Sequence, residues 1–221
     1  MSQDRYSFSI SWEIHEDLHF DDSCEPQQLL THVEGKVGAY DSETDTDIEL
    51  AAYVRAYFLD IDRAHDLGFD IYSVCDAEGD DLEGIASAFY DTEYSRLKDD
   101  IDSEHLMDNS IIIEYVFVKA QFRGFGLSKL VIDSLERNFG GRASVMLLQA
   151  CPQQFRKNFK DPEDNDNDPY LVFWCKKNFI KAMKYELFEQ NEKKAEKKLM
   201  VNWSKLGFRK YKKNFMYKTL S

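Results

Sequence analysis

The chain has 221 residues, 43% of them hydrophobic and 14% aromatic, and carries a formal net charge of −13. That is apolar material enough for one large packed domain, which excludes wholesale disorder. No apolar run approaches the roughly 18 residues a membrane span needs, and an acidic whole disfavours a dedicated nucleic-acid binder.

In chain order, "RYSFSISWEI" (5–14) alternates polar and apolar residues as a half-buried strand does. "THVEGKVGAY" (31–40) predicts a second strand, "DSETDTD" (41–47) a polar turn, and "IELAAYVRAYFLDI" (48–61) a long third strand. Residues 70–91 have apolar positions at helical spacing, interrupted by Gly79 and Gly84. Residues 96–109 form a charged connection. "SIIIEYVFV" (110–118) is β-branched, aromatic and nearly continuous, so it is expected at the centre of a sheet. Leu127, Leu130, Val131 and Leu135 then share a helical face, Gly140-Gly141 ends that helix, and "SVMLLQA" (144–150) is another buried strand. This strand–helix–strand unit predicts a parallel crossover. A polar stretch (151–169), too long for an ordinary connection, suggests an insertion. Residues 170–207 are expected to be largely helical up to Gly207, and 208–220 to form a final strand or hairpin.

Charge is spread unevenly. Eleven acidic residues face two basic ones between Asp76 and Glu104, and ten basic face one acidic between Lys193 and Lys218. A solvated helix face accounts for the pattern, and a phosphorylated ligand at the basic tail is the functional alternative. Cys24, Cys75, Cys151 and Cys175 form no C-x-x-C pair, which argues against a disulfide framework or a zinc knuckle. The N-terminus shows no basic start followed by an apolar segment, so a cytoplasmic protein without a secretory signal is expected.

"RGFGLS" (123–128) sits at the junction between strand 110–118 and the helix after it. Helix N-termini leave backbone N–H groups without intrahelical partners, and glycines let a phosphate approach them. A tight turn requiring positive φ explains the same glycines, and the local pattern leaves both readings open. The P-loop and dinucleotide patterns both fail, because Lys129 stands where each requires a glycine.

With its flanks, Val118-Lys-Ala-Gln-Phe-Arg123-Gly124-Phe-Gly126-Leu-Ser128-Lys-Leu-Val131 resembles the acetyl-coenzyme A signature of the GNAT N-acetyltransferase superfamily. Ala120 stands at the usual proline and Ser128 at the last small position. "NWSKLGFRKY" (202–211) is similar to the superfamily's late helix-to-strand segment. The resemblance implies a GNAT-like α/β fold: a mixed, mostly antiparallel central sheet flanked by helices. It implies one acetyltransferase-like domain over 1–221, with an insertion at 152–191. It further implies that acetyl-CoA, as co-substrate, rests its pyrophosphate on the backbone from Gly124 through Phe125, Gly126, Leu127 and Ser128 to Lys129, beside Arg123. The pantetheine arm would pair with Val116, Phe117 and Val118, where the N–H near Val118 can polarise a thioester carbonyl.

An amine must be neutral to attack, so a base or water relay is needed. Glu114 is the candidate general base, a carboxylate in an apolar strand, and strict alternation would put it on the face of Val116 and Val118. An ion pair with a neighbouring lysine or arginine is the equal alternative. Many family members use a tyrosine in the late helix to protonate the leaving thiolate. Trp203 holds that position and is read as packing against the cofactor or the core. Tyr211, the candidate acid, and Tyr217 lie close in sequence without matching it, and solvent or the substrate's own ammonium is the alternative proton source.

Other motifs carry less. "HEDLH" (15–19) matches H-E-x-x-H but follows a strand, and "DPEDNDND" (161–168) has Pro169 where a calcium loop needs glycine, so no metal is expected. Cys151 is read as a packing thiol, since nothing in the sequence pairs a histidine with it. The expected function is acetyl transfer to a primary amine, either a small molecule or a lysine or N-terminal amine of a peptide. Neither nucleic acid nor membrane is an expected partner. The acidic surface favours a cationic acceptor, and "YLVFW" (170–174), as core or interface, leaves a homodimer open. The alternative is a coenzyme A-binding module without catalysis.

Overall fold

Alternation builds the first half of the sheet. β1 (Tyr6–His15), β2 (Leu30–Asp41) and β3 (Thr46–Leu59) form an antiparallel meander. The computed structural model describes residues 5–16, 25–91, 96–101, 109–152, 189 and 191–220. Trp12 of β1 lies over Gly35 of β2, where any Cβ would come within 2.6 Å of the indole and of Val54. The glycine lets the indole N–H reach across to Ser134 Oγ at 3.0 Å.

β3 ends at Leu59, short of the expected Ile61, because Asp60 caps a helix the pattern did not reveal. α1 (Ile61–Asp66) starts with the Asp60 carboxylate accepting from Arg63 N–H at 3.0 Å. The N–H of Ile61 donates to Asn109 Oδ1 at 2.7 Å, tying α1 to the strand that follows Asn109. α2 (Ile71–Glu78) and α3 (Asp80–Phe89) occupy the predicted helical stretch. Gly79, at φ 149°, breaks it as expected. Gly84 instead lies inside α3 and interrupts nothing, since a helix tolerates an interior glycine at a cost of about 1 kcal/mol. The charged connection opens with β5 (Arg96–Leu97), paired antiparallel with β4 (Tyr90–Asp91).

Among the described residues, β6 (Ser110–Val118) is the fourth of seven strands in the order β1-β2-β3-β6-β7-β9-β8, central as predicted. α4 (Leu127–Phe139) connects it to β7 (Val145–Gln149), and this is the parallel pair of the sheet. α4 buries Leu127, Val131, Ile132, Leu135 and Phe139 along one stripe, each side chain contributing about 1.5–3 kcal/mol. α5 (Glu192–Lys205) and the hairpin β8 (Arg209–Lys210) and β9 (Phe215–Thr219) complete the described chain. The architecture is mixed α/β with a mostly antiparallel sheet flanked by helices. Apart from its ends, the expected insertion at 152–191, with "DPEDNDND" and "YLVFW", lies outside the described residues.

Among the described residues, two larger cores lie against the sheet, with a small cluster around Leu50 and Tyr53 besides. Val54, Ala56, Ile111 and Ile113 pack with α4 and Trp203, while Tyr57, Leu59 and Ile112 pack with α1, α2 and α3. Among the described residues, no helix is long and apolar enough to cross a membrane.

Candidate functional site

The site begins with an extra residue. β3 and β6 pair Arg55 with Tyr115 but Ala56 with Ile113, so Glu114 is the bulged residue of β6. A bulge inserts one residue into one strand only, and so inverts the alternation beyond it. Ile113, Val116 and Val118 therefore all belong to the α4 side, while Tyr115 and Phe117 pack with Tyr53 on the other. This corrects the expectation from strict alternation. Glu114 turns to the face of Arg55 and Tyr57, opposite Val116 and Val118.

Beyond the bulge the sheet opens. Pairing between β6 and β7 runs from Ser110–Val145 to Ile113–Leu148 and ends, while β6 continues to Val118. On its other edge the N–H of Lys119 donates to Ala51 O at 2.9 Å. That bond makes Ala52–Val118, and by alternation Val54–Val116, the pairs that do not bond each other. The N–H and C=O groups of Val116 and Val118 consequently point away from β3, into the gap that β7 leaves. Arg123 Nε reaches back to Val118 O at 3.3 Å, and burial lowers the pKa of its guanidinium.

The gap is one wall of a cleft of about 780 Å³. Val116, Phe117, Val118, Arg123, Gly124, Gly126, Leu127, Ser128 and Lys129 all line it, as does Glu114. Gly124 (φ 89°) and Gly126 (φ 79°) are left-handed, so the turn explanation holds in part. A Cβ at either would meet nothing within 4 Å, so the loop is also open on the side a ligand would occupy. Gly126 is the N-cap of α4 and, as a glycine, has no side chain to cap the first turn. Phe125 is the exception among the expected residues. It is absent from the cleft lining, and its ring packs edge-on against Tyr6 and Phe8 at 5.6 and 5.8 Å, anchoring the loop to β1.

α5 forms the far wall, where Trp203 lines the cleft, while the sequence did not single out Lys198, Asn202 and Lys205 beside it. Lys198 is paired with Glu189 at 2.8 Å, and Lys129 with Asp133. The positive balance of residues 193–218 was the available signal. Trp203 is 8% exposed and packs edge-on against Phe208 at 5.1 Å. Cys151 also lines the cleft, where Asn214 Nδ2 lies 3.5 Å from its sulfur. Tyr211 is not brought to the cleft lining. Its hydroxyl donates to the Asp100 carboxylate, 2.7 Å from Oδ1, and its ring stacks on Phe89.

Behind Glu114 lies a cluster that no local pattern announced. Tyr57 Oη stands 3.2 Å from Glu114 Oε2 and 3.2 Å from Glu78 Oε1. Burial, followed by the two carboxylates, raises the pKa of this hydroxyl far above the ordinary tyrosine range. Arg55 binds Glu34 at 3.2 Å and lies 3.9 Å from Glu114 Oε2. His32 Nε2 is 3.7 Å from Glu78 Oε2. The proposed ion pair for Glu114 is thus present, with Arg55, alongside its place in the cleft. On β1 and β2, Glu13, His15 and Glu34 have ligand atoms within 4.8 Å of one another. Lys36, 2.7 Å from Glu13, and Arg55 already balance that group. His15 closes a strand, whereas H-E-x-x-H chemistry requires both histidines on a helix.

No protein-family model, no curated protein and no solved structure matches this chain.

Proposed function

We propose that the chain is a GNAT-type N-acetyltransferase, moving an acetyl group from acetyl-CoA to a primary amine by direct attack. The observation that carries this reading is the opening between β6 and β7. It offers the N–H and C=O groups of Val116 and the N–H of Val118 to an extended ligand, directly beside the N-terminus of α4 at Gly126. An arm that hydrogen-bonds like a strand and ends in a pyrophosphate matches both features.

In this reading the N–H groups of Leu127, Ser128 and Lys129 hold the pyrophosphate, with Arg123, Lys129 and Lys205 adding positive charge. When bound, acetyl-CoA supplies an activated acyl carbonyl. Val118 N–H faces the gap where that carbonyl would lie and favours charge developing on its oxygen. Glu114 accepts a proton from the amine, which approaches from the Arg55 side of the sheet. Trp203 closes the far wall and excludes water.

A second reading, a non-catalytic acyl-CoA-binding module, is favoured by Trp203 at the tyrosine position and by the removal of Tyr211 to Asp100. Incubation with acetyl-CoA and a panel of primary amines, with released thiol followed, separates the two. Amine-dependent thiol release supports the transferase, and saturable binding without turnover on any amine supports the module.

A further inference from the structure

We propose that Tyr57 conducts protons from Glu114 in the cleft to Glu78 on α2, outside the cleft, forming a relay that restores Glu114 as a base after each turnover. The proposal rests on the transferase reading, since it gives Glu114 a proton to lose.

Three observations support it. The Tyr57 hydroxyl has one proton and two carboxylate oxygens, Glu114 Oε2 and Glu78 Oε1, each at 3.2 Å. A phenolic oxygen can donate one hydrogen bond and accept another at the same time. Second, the two ends of the chain of groups open on different places. Glu114, 18% exposed, lines the cleft, whereas Glu78 and His32, 24% and 39% exposed, lie outside the cleft lining. Third, other groups pin the arrangement. Arg55, from β3, contacts both Glu34 and Glu114, and the Tyr115 ring lies under its guanidinium at 5.8 Å. His32, from β2, packs edge-on against the Tyr57 ring at 4.9 Å.

The passage balances atom by atom. Glu114, having taken the amine proton, gives it to Tyr57 Oη as Tyr57 gives its own to Glu78 Oε1. One O–H bond breaks and one forms at each oxygen pair, and no tyrosinate appears. That fits a hydroxyl whose burial holds it firmly protonated, a conduit rather than a base. Glu78 then loses the proton to solvent, directly or through His32, 3.7 Å away and within reach of one bridging water. The Tyr57 O–H then faces Glu114, and its rotation back toward Glu78 resets the relay.

The test is steady-state turnover with acetyl-CoA and an amine acceptor, comparing wild type with Tyr57→Phe, and with Glu78→Gln as a second variant. Tyr57→Phe keeps the ring and its packing. The expected result is a fall in kcat of at least ~10-fold with the KM for acetyl-CoA unchanged. The pH profile should shift, and added imidazole should restore part of the rate by removing the proton directly. Glu78→Gln should behave alike. If wild type turns over and Tyr57→Phe matches it in kcat and pH profile, the relay is overturned while the transferase stands. Slower turnover with an unshifted pH profile and no imidazole rescue makes Tyr57 a packing residue and also overturns it. If wild type releases no thiol with any amine, the transferase reading itself fails and the relay falls with it.

Discussion

Ile113 stands opposite Leu148 at the last rung between β6 and β7, although β6 runs on to Val118. A parallel pair that stops midway along its central strand leaves one edge of that strand for something else to cover. The bulge at Glu114, next in sequence, turns the strand where the pairing ends. The candidate site therefore follows from one inserted residue and one truncated ladder.

Gly124 and Gly126 have the positive φ a tight turn requires and open space beside them, and two substitutions at Gly126 separate turn from phosphate cradle. Gly126→Ala places a Cβ at φ 79° and should cost about 1 kcal/mol, or roughly 2–4 °C in Tm for a chain of this size. Gly126→Asn tolerates the left-handed region better, so thermal melting should register a smaller loss. Its side chain nonetheless extends into open cleft, so acetyl-CoA affinity measured by calorimetry should fall more than with alanine. Equal affinity for Gly126→Asn and wild type would reduce the loop to a turn.

Glu114→Gln preserves shape and leaves an oxygen for the Tyr57 hydroxyl, while removing the charge. Turnover should drop about 100-fold, with calorimetric affinity for acetyl-CoA retained. Unchanged turnover across pH would leave Glu114 as the ion-pair partner of Arg55 alone.

The cysteines report on the cleft. Burial pushes the Cys75 thiol up to about 12, so it offers almost no thiolate at neutral pH. Cys151 lines the cleft. Iodoacetamide labelling read by peptide mass spectrometry should modify Cys151 in the native protein and Cys75 only after unfolding. Acetyl-CoA should slow the Cys151 reaction. Labelling of Cys151 that ignores saturating acetyl-CoA would place the ligand elsewhere.

Acid should unfasten the β2–β3 turn. The Arg5 guanidinium, 2.6 Å away, holds the Asp41 carboxyl down at about 2. A carboxyl lowered in the folded state contributes stability that is complete above its unfolded value near ~3.9. That contribution drains away as pH falls through that value toward about 2. Urea midpoints measured from pH 6 to pH 2 should fall more steeply for wild type than for Asp41→Asn, the two curves converging at the acid end. Parallel curves would mean that Arg5 and Asp41 are uncoupled in solution.

Much of the sheet was legible because alternation is local. "SFSISWEI" shows its buried face to anyone counting by two, and "SIIIEYVFV" announces a strand covered on both sides. α1 was not legible. Its six residues bury only Ile61 and Ala64, too few for a helical period to show. The bulge was invisible because register depends on the partner strand, and so Glu114 was assigned to the wrong face. The cluster of Glu34, Arg55, Tyr57, Glu78 and Glu114 escaped for the same reason, since β2, β3, α2 and β6 meet there only after folding. Phe125 sat inside a phosphate-loop pattern, but an aromatic side chain in an apolar neighbourhood follows its packing.

The most direct measurement is an amide NMR titration of uniformly labelled protein with acetyl-CoA. The account predicts saturable shifts concentrated at Val116, Val118 and residues 124–129, with smaller ones along α5 at Asn202 and Trp203. Absence of saturable shifts, or shifts confined to surfaces away from β6 and the start of α4, would contradict it.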